Sequence, residues 1–495
     1  MRINLSLAVL AAASGADAFW RMECRGRLSL ARIDPLVSPG EVAAHAHAIH
    51  GSSGFSEKAN YEDLLKGDCT SCAVTQDKSA YWTPAMYFKH ANGDYQDVPQ
   101  VGGMLAYYFL NKDDGNPGGG IKAFPEDFRM IAGDTLRRNY TISGQDASQP
   151  DPEKSRWASL GQTKQTDLAQ RALGYNCLNY DKQAEGSLYR HYLPDKAYLD
   201  ANCIQGVRIE IMFPSCWDGK NTDSPDHRSH VAYPDLVMTG SCPPGFPVKL
   251  PGLFYETIWD THAFAGVEGE FVIANGDVNG FGYHADFMNG WEVPFLQKAV
   301  DQCTNLSGRI EDCSLFDIQT EDEQRMCTID APSALSAEKV AGLIGNALPG
   351  NVKIQYGPGP ATAKNPGSAT VPVDVPTVTY SEGHSATGSS YTQGLIFHEL
   401  STSVGVDAQA QPTSVGVNAQ AQPATTPAPE PPADDGKYEI VRTEYVTSGD
   451  VVNMIIIKEA VEYITVTTTT VTATVGGAKA RRGAHLHRHG RRHRL

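Results

Sequence analysis

The sequence predicts a mainly β fold, an antiparallel β-sandwich or jelly-roll-like domain with a few helices. Three observations carry that expectation. Short apolar stretches recur between clusters of Gly, Pro, Asn and Asp. One of them alternates cleanly, with Val207, Ile209, Ile211 and Phe213 on one face and Arg208, Glu210 and Met212 on the other. Stretches of helical periodicity are few.

In chain order, residues 1–18 come first. They carry one basic residue, Arg2, an apolar run from Leu5 to Ala13, and the small–x–small triplet Ala16-Asp17-Ala18. That is the pattern of a secretory signal peptide cleaved after Ala18, and the run is too short to span a bilayer, which needs about 20 residues. Residues 19–358 form the expected globular domain, holding all ten cysteines and all six tryptophans. Its best strand candidates are 102–110, 206–213, 253–260 and 269–277, and its best helix candidates are 166–175 and 333–348. Residues 359–436 turn rich in Pro, Ala, Thr and Gln and contain two near-identical copies, TSVGVDAQAQP (402–412) and TSVGVNAQAQP (413–423). Two polar copies are too few for a solenoid, so the stretch is expected to be a flexible, glycosylated spacer. Residues 437–475 are rich in Val, Ile and Thr and favour extended backbone, as a hairpin or a strand lent to a partner. Residues 476–495 are a basic tail of Arg and His, suited to touching acidic polymers.

An even number of cysteines behind a signal peptide points to disulfides, including at the Cys69-x-x-Cys72 pair. Asn139 and Asn305 head N-x-[ST] acceptors for glycosylation, which fits the same secreted, extracellular or wall-associated route. A formal net charge of −16 argues against a nucleic-acid partner for the body of the protein. No later stretch is apolar enough for a transmembrane segment.

Three segments concentrate chemistry. In HAHAIHG (45–51), an extended backbone puts His45 and His47 on one face, a common way to offer two ligands to one metal ion, while His50 points away or sits in the turn. SPDHRSH (224–230) brings Asp226 and His230, and GYHAD (282–286) brings His284 and Asp286 on a shared face. Together His45, His47, His230 and His284 with Asp226 and Asp286 make a candidate catalytic cluster. His45, His47 and His284 are the candidate metal ligands, and nitrogen-rich ligation suits zinc or copper. Carboxylates beside them would orient an imidazole or serve as general base. Trp217 and Trp291, next to these segments, and Tyr283 are candidate platforms for sugar rings. One copper chemistry is excluded by position: oxygenases of polysaccharides that ligate copper through a mature N-terminal histidine need one there, and the expected terminus is Phe19, with no histidine before His45. No P-loop, G-x-S-x-G, H-E-x-x-H or dinucleotide fingerprint occurs.

Taken together, RIDPLVSPG with His45 and His47, DCTSC, DKSAYWTPAMYF, GGMLAYY, SCWDGKN, SPDHRSHVAYP, GYHADFMNGW and ALPGNVKIQYGPGPA resemble a fungal secreted family known only as a domain of unknown function, often found beside the sugar-binding WSC module. His50 lies outside the residues that carry the resemblance. The resemblance covers residues 19–358 and implies an extracellular or wall-associated role without bringing an activity. No WSC module is recognisable, since the cysteines stop before residue 330. The functional expectation is therefore a protein acting on a polysaccharide or cell-wall glycan, by hydrolytic or lyase-type cleavage. The alternatives are a non-catalytic glycan-binding or structural wall protein, or a metal-sequestering one.

Overall fold

A computed structural model describes residues 18–362, 439–448 and 451–459. The expected signal peptide (all but Ala18), nearly all of the expected spacer and the basic tail lie outside the described residues.

Residues 18–362 build a β-sandwich from two five-stranded antiparallel sheets. The first sheet runs in the order Phe19–Cys24, Gln100–Phe109, Gly252–Trp259, Val207–Met212, Leu173–Cys177. The second runs Ser29–Ala31, His47–Gly51, Ala80–Pro84, His284–Met288, Arg129–Gly133. Every pairing in both is antiparallel. Two smaller sheets, of four and three strands, flank them.

Period-2 alternation decides what each strand buries. Ile209, Ile211, Tyr108 and Tyr255 of the first sheet meet Tyr81, Ala48, Ala285 and Phe287 of the second in one apolar core. The rings of Tyr81 and Tyr255 cross edge-to-face at 5.5 Å, and the hydroxyls of Tyr81 and Tyr108 lie 2.6 Å apart. The remaining residues of the same strands point outward. Ile49, Trp82, Ile131 and Met288 form a second core beyond the second sheet, and Tyr107, Phe109, Met212 and Phe254 form a third beyond the first. Each sheet thus has apolar cover on both faces, which is why few of its strands show a polar side in the sequence.

All four strand candidates are strands. The 166–175 candidate divides: Gln165–Arg171 is helical, and the chain then enters the strand Leu173–Cys177. The 333–348 candidate is not a helix. It holds a short 3-10 turn, Ser333–Leu335, and a strand, Leu343–Gly345, paired to Tyr95–Asp97. Gly342 and Gly345 adopt positive φ there and break the helical register. The longest α-helix among the described residues, Val293–Gln302, went unpredicted although Leu296, Ala299 and Val300 supply its buried stripe.

All ten cysteines are paired: Cys24–Cys72, Cys69–Cys327, Cys177–Cys203, Cys216–Cys242 and Cys303–Cys313. The C-x-x-C is therefore two structural staples with separate partners. Five disulfides fit an oxidising compartment. Among the described residues no helix is long and apolar enough to cross a membrane. Separately from this unit, Glu439–Ser448 and Val451–Glu459 pair as an antiparallel hairpin.

Candidate metal centre

The second sheet assembles the site. His47 opens the strand His47–Gly51 and lies opposite Pro84; Asp286 lies opposite Trp82, two residues further along the strand between them. The His47 end of one strand and the His284 end of the other therefore flank the same end of Ala80–Pro84. Alternation then sets the face. Ala285 and Phe287 point into the main core, so His284 and Asp286 point to the far side, shared with Met288, Ile49 and Trp82. His45, just before its strand, joins them. Close approach at this end needs Gly133, which pairs with His284 at φ 81°; a Cβ there would lie 2.3 Å from the Tyr283 carbonyl oxygen.

The result is a compact trio of imidazoles. His45 Nε2 and His284 Nε2 are 3.2 Å apart. The His45 and His47 rings are centred 4.4 Å apart, and the His47 and His284 rings 5.7 Å. One ligating nitrogen from each ring fits within 4.8 Å of the other two. Asp286 Oδ2 stands 3.8 Å from His284 Nε2. Two ligands held about 2.0–2.1 Å from one tetrahedral ion sit roughly 3.3 Å apart, which the 3.2 Å between the His45 and His284 nitrogens matches, while the other separations are somewhat longer.

The site is closed off from water: His47 and Asp286 are 0 % exposed, His284 4 % and His45 9 %. Burial lowers the pKa of all three histidines well below the usual imidazole range. Neighbouring imidazoles add to this, and Arg32 and Arg138 add further at His45. Three neutral imidazoles result, the ligating form. Burial likewise pushes Asp286 well above the usual carboxylate range, helped by Asp34 and opposed by Arg228.

Two groups here make no side-chain hydrogen bond. Neither ring nitrogen of His47 has a hydrogen-bond partner, and neither carboxylate oxygen of Asp286 has one. The Ile33 backbone approaches His47 closely enough to oppose its pKa shift, but forms no bond of acceptable geometry. Buried polar atoms left unsatisfied cost about 1–3 kcal/mol each, and a bound cation is one group that would satisfy them. His284 Nδ1 faces the Gly282 carbonyl at 3.4 Å, which leaves Nε2 as the ligating atom.

The other predicted site residues are placed elsewhere. His230 spends both ring nitrogens, one on the Arg129 carbonyl at 2.9 Å and one on the Ser224 hydroxyl at 2.9 Å. Asp226 accepts from the Ser224 and Ser229 hydroxyls and from the Arg228 and Ser229 amides; these bonds outweigh burial and hold its pKa down to about 2. Both brace their own loop rather than join the trio. Trp291 is wholly buried, its indole N–H donating to Tyr108. Tyr283 is buried against Thr257. Neither ring face is open to a sugar. Trp217 is half-buried and donates to the Asn221 carbonyl. His50 binds the Gly26 carbonyl and Gln100 instead, away from the trio. Asn139 and Asn305 are both exposed.

Sequence reasoning missed Asp34, Arg228, Arg32 and Arg138. Arg228 is anchored on the Gly133 carbonyl at 3.0 Å and Arg32 on Glu338 at 2.8 Å. Asp34 stands inside RIDPLVSPG, and a carboxylate in that segment was a signal available without the fold. The arginines act through space, and no spacing in the chain announces them.

Comparison with curated proteins returns no match, and comparison with solved structures returns none. The stretch that does match a known family runs from Asp34 to Trp291, takes in all three clustered histidines and Asp286, and spans just over half of the chain; the protein belongs to the family described as Domain of unknown function (DUF1996).

Proposed function

We propose that this is an extracellular metal-binding protein that holds one zinc or copper ion on His45, His47 and His284, with the Asp286 carboxylate as the fourth donor. The observation that carries the reading is the pair of orphaned groups: His47 and Asp286 are fully buried, unpartnered and beside two further imidazoles. A cation would satisfy all of them at once. Three nitrogens and one carboxylate favour zinc or copper over calcium or magnesium. A site with four protein donors and almost no exposure is a closed one, suited to retaining a metal and bracing the fold. The fungal, wall-associated setting implied by the sequence resemblance belongs to the same proposal.

The test is elemental analysis of the purified full chain after zinc or copper loading and desalting. About one ion per chain is expected for the native protein, and loss of it in His47→Ala and Asp286→Leu. Equal metal content in native and variant chains would refute the site.

Cleavage of a polysaccharide at this centre has one observation in its favour. Three imidazoles alone leave a position for water, and Asp286 beside it would act as general base. The low exposure of all four side chains weighs against a polymer reaching it. New reducing ends or unsaturated products from a β-glucan incubated with the loaded chain, absent with His47→Ala, would establish that activity.

A further inference from the structure

The outward face of the first sheet carries a second feature, unconnected with the histidines. A cleft of ≈ 980 Å³, its solvent-open mouth included, lies over the strands Leu173–Cys177, Val207–Met212, Gly252–Trp259 and Gln100–Phe109. Asn176 and Arg208 are cross-strand partners on its floor, with Glu256 beside them and Tyr180 and Lys182 on the wall. The wall is fixed: Cys177–Cys203 closes it, and Glu185 accepts from the Cys177 amide at 2.7 Å while pairing with Arg190 at 2.6 Å.

We propose that this cleft binds a stretch of neutral, hydroxyl-rich saccharide. The first argument is the charge pattern. The cations and carboxylates of the lining already neutralise one another: Arg208 meets Glu256 at 3.4 Å, Arg25 meets Glu23 at 3.6 Å, and Tyr107 donates to Glu256 at 2.7 Å. A charged ligand of either sign would be attracted by part of this set and repelled by the rest. A hydroxyl both donates and accepts, so a run of hydroxyls satisfies both kinds of group. The second argument is Asn176. It is 1 % exposed, and its amide nitrogen is committed to the Gly186 carbonyl at 2.9 Å, which fixes the orientation of the group. Its oxygen is buried with no partner. It needs a donor from the cleft, and a sugar hydroxyl is one. The third is Tyr180, 54 % exposed on the wall, an aromatic residue of the kind that packs against the apolar side of a pyranose.

The test uses the full chain and two variants, Asn176→Leu and Tyr180→Ala, the second an exposed change that leaves the fold intact. The probes are hexasaccharides of β-1,3-glucan, cellulose, chitin and α-mannan, and an oligogalacturonate, with binding read by calorimetry. The proposal expects at least one neutral oligosaccharide to bind at a strength that persists in high salt, and a loss of about tenfold in each variant, the size typical of one interface contact. Binding of the oligogalacturonate alone, abolished by salt, would mean that Arg208 and Lys182 capture a carboxylate and would overturn it. So would the absence of binding by any neutral probe, or binding that both variants retain.

Discussion

Asp286 carries a cost that its surroundings do not offset. A fully buried carboxylate with neither oxygen partnered is unfavourable in the metal-free chain, yet the same group is an asset once a cation sits beside it. Asp286→Leu, close in shape, should therefore raise the stability of the metal-free protein by about 1–3 kcal/mol and abolish the gain that zinc gives the native chain. Urea midpoints with and without zinc check both signs; a variant less stable in both states would show that the carboxylate braces the fold. Asp151 is the opposite case. Burial alone would raise its pKa, but His191 at 3.1 Å, Arg171 at 3.1 Å and Gln145 outweigh it and bring the value from 3.8 to about 2. Because the folded state holds the ionised form more tightly than the unfolded chain does, this group's contribution is complete above pH 4 or so. It is lost as pH falls towards about 2, for a total of about 2 kcal/mol. Between pH 6 and pH 3 the native protein should thus lose more stability than Asp151→Asn, by roughly 1 kcal/mol, measured as a shift in urea midpoint. At this scale the chain was partly legible. H-x-H and H-x-D spacing on extended backbone placed His45 with His47, and His284 with Asp286, on shared faces, and the structure clusters the three histidines beside that carboxylate. The same reading drew His230 into the cluster, whereas its two nitrogens are consumed by Ser224 and Arg129, because a histidine's partners are decided by chain that is distant in sequence.

Among elements, the strand Val207–Met212 was the clearest in advance. Its alternation matches the structure: Ile209 and Ile211 lie in the main core, while Arg208 and Glu210 pair on the opposite face, where Arg208 lines the outer cleft. The 333–348 segment failed for a local reason. Its apolar residues are spaced for a helix, but positive-φ glycines at 342 and 345 and pairing to Tyr95–Asp97 give it a better extended use. The staples also differ in weight. Cys69–Cys327 spans 258 residues and Cys303–Cys313 only 10. Chain-entropy arithmetic gives about 5–6 kcal/mol for the first and about 3 for the second. Replacing Cys69 and Cys327 by Ala should accordingly lower the urea midpoint by more than replacing Cys303 and Cys313. Equal losses would mean that native packing rather than chain entropy sets their value.

For the molecule as a whole, the histidine trio and the cleft stand on different sheets of one sandwich, each on an outward face. That two-sheet frame was legible from composition and alternation, whereas which strands neighbour one another was not. His47 and His284 come together only because Ala80–Pro84 intervenes in the sheet order. Since the trio joins strands far apart in the chain, metal binding should stabilise the whole head. At a free zinc concentration of a hundred times Kd the gain is about 2.7 kcal/mol, seen as a Tm that rises on loading and returns on chelation; His47→Ala should show neither change. The pairing of Cys69 with Cys327 reaches further back, to biosynthesis. The thiol at 69 leaves the ribosome with Cys72 three residues away and its true mate 258 residues short of existing. At about 5–20 residues per second that wait is roughly 10–50 s. Through that interval the nascent chain must be kept from closing the small wrong ring, so its yield in a secreting cell is set by thiol exchange catalysts as much as by its own sequence.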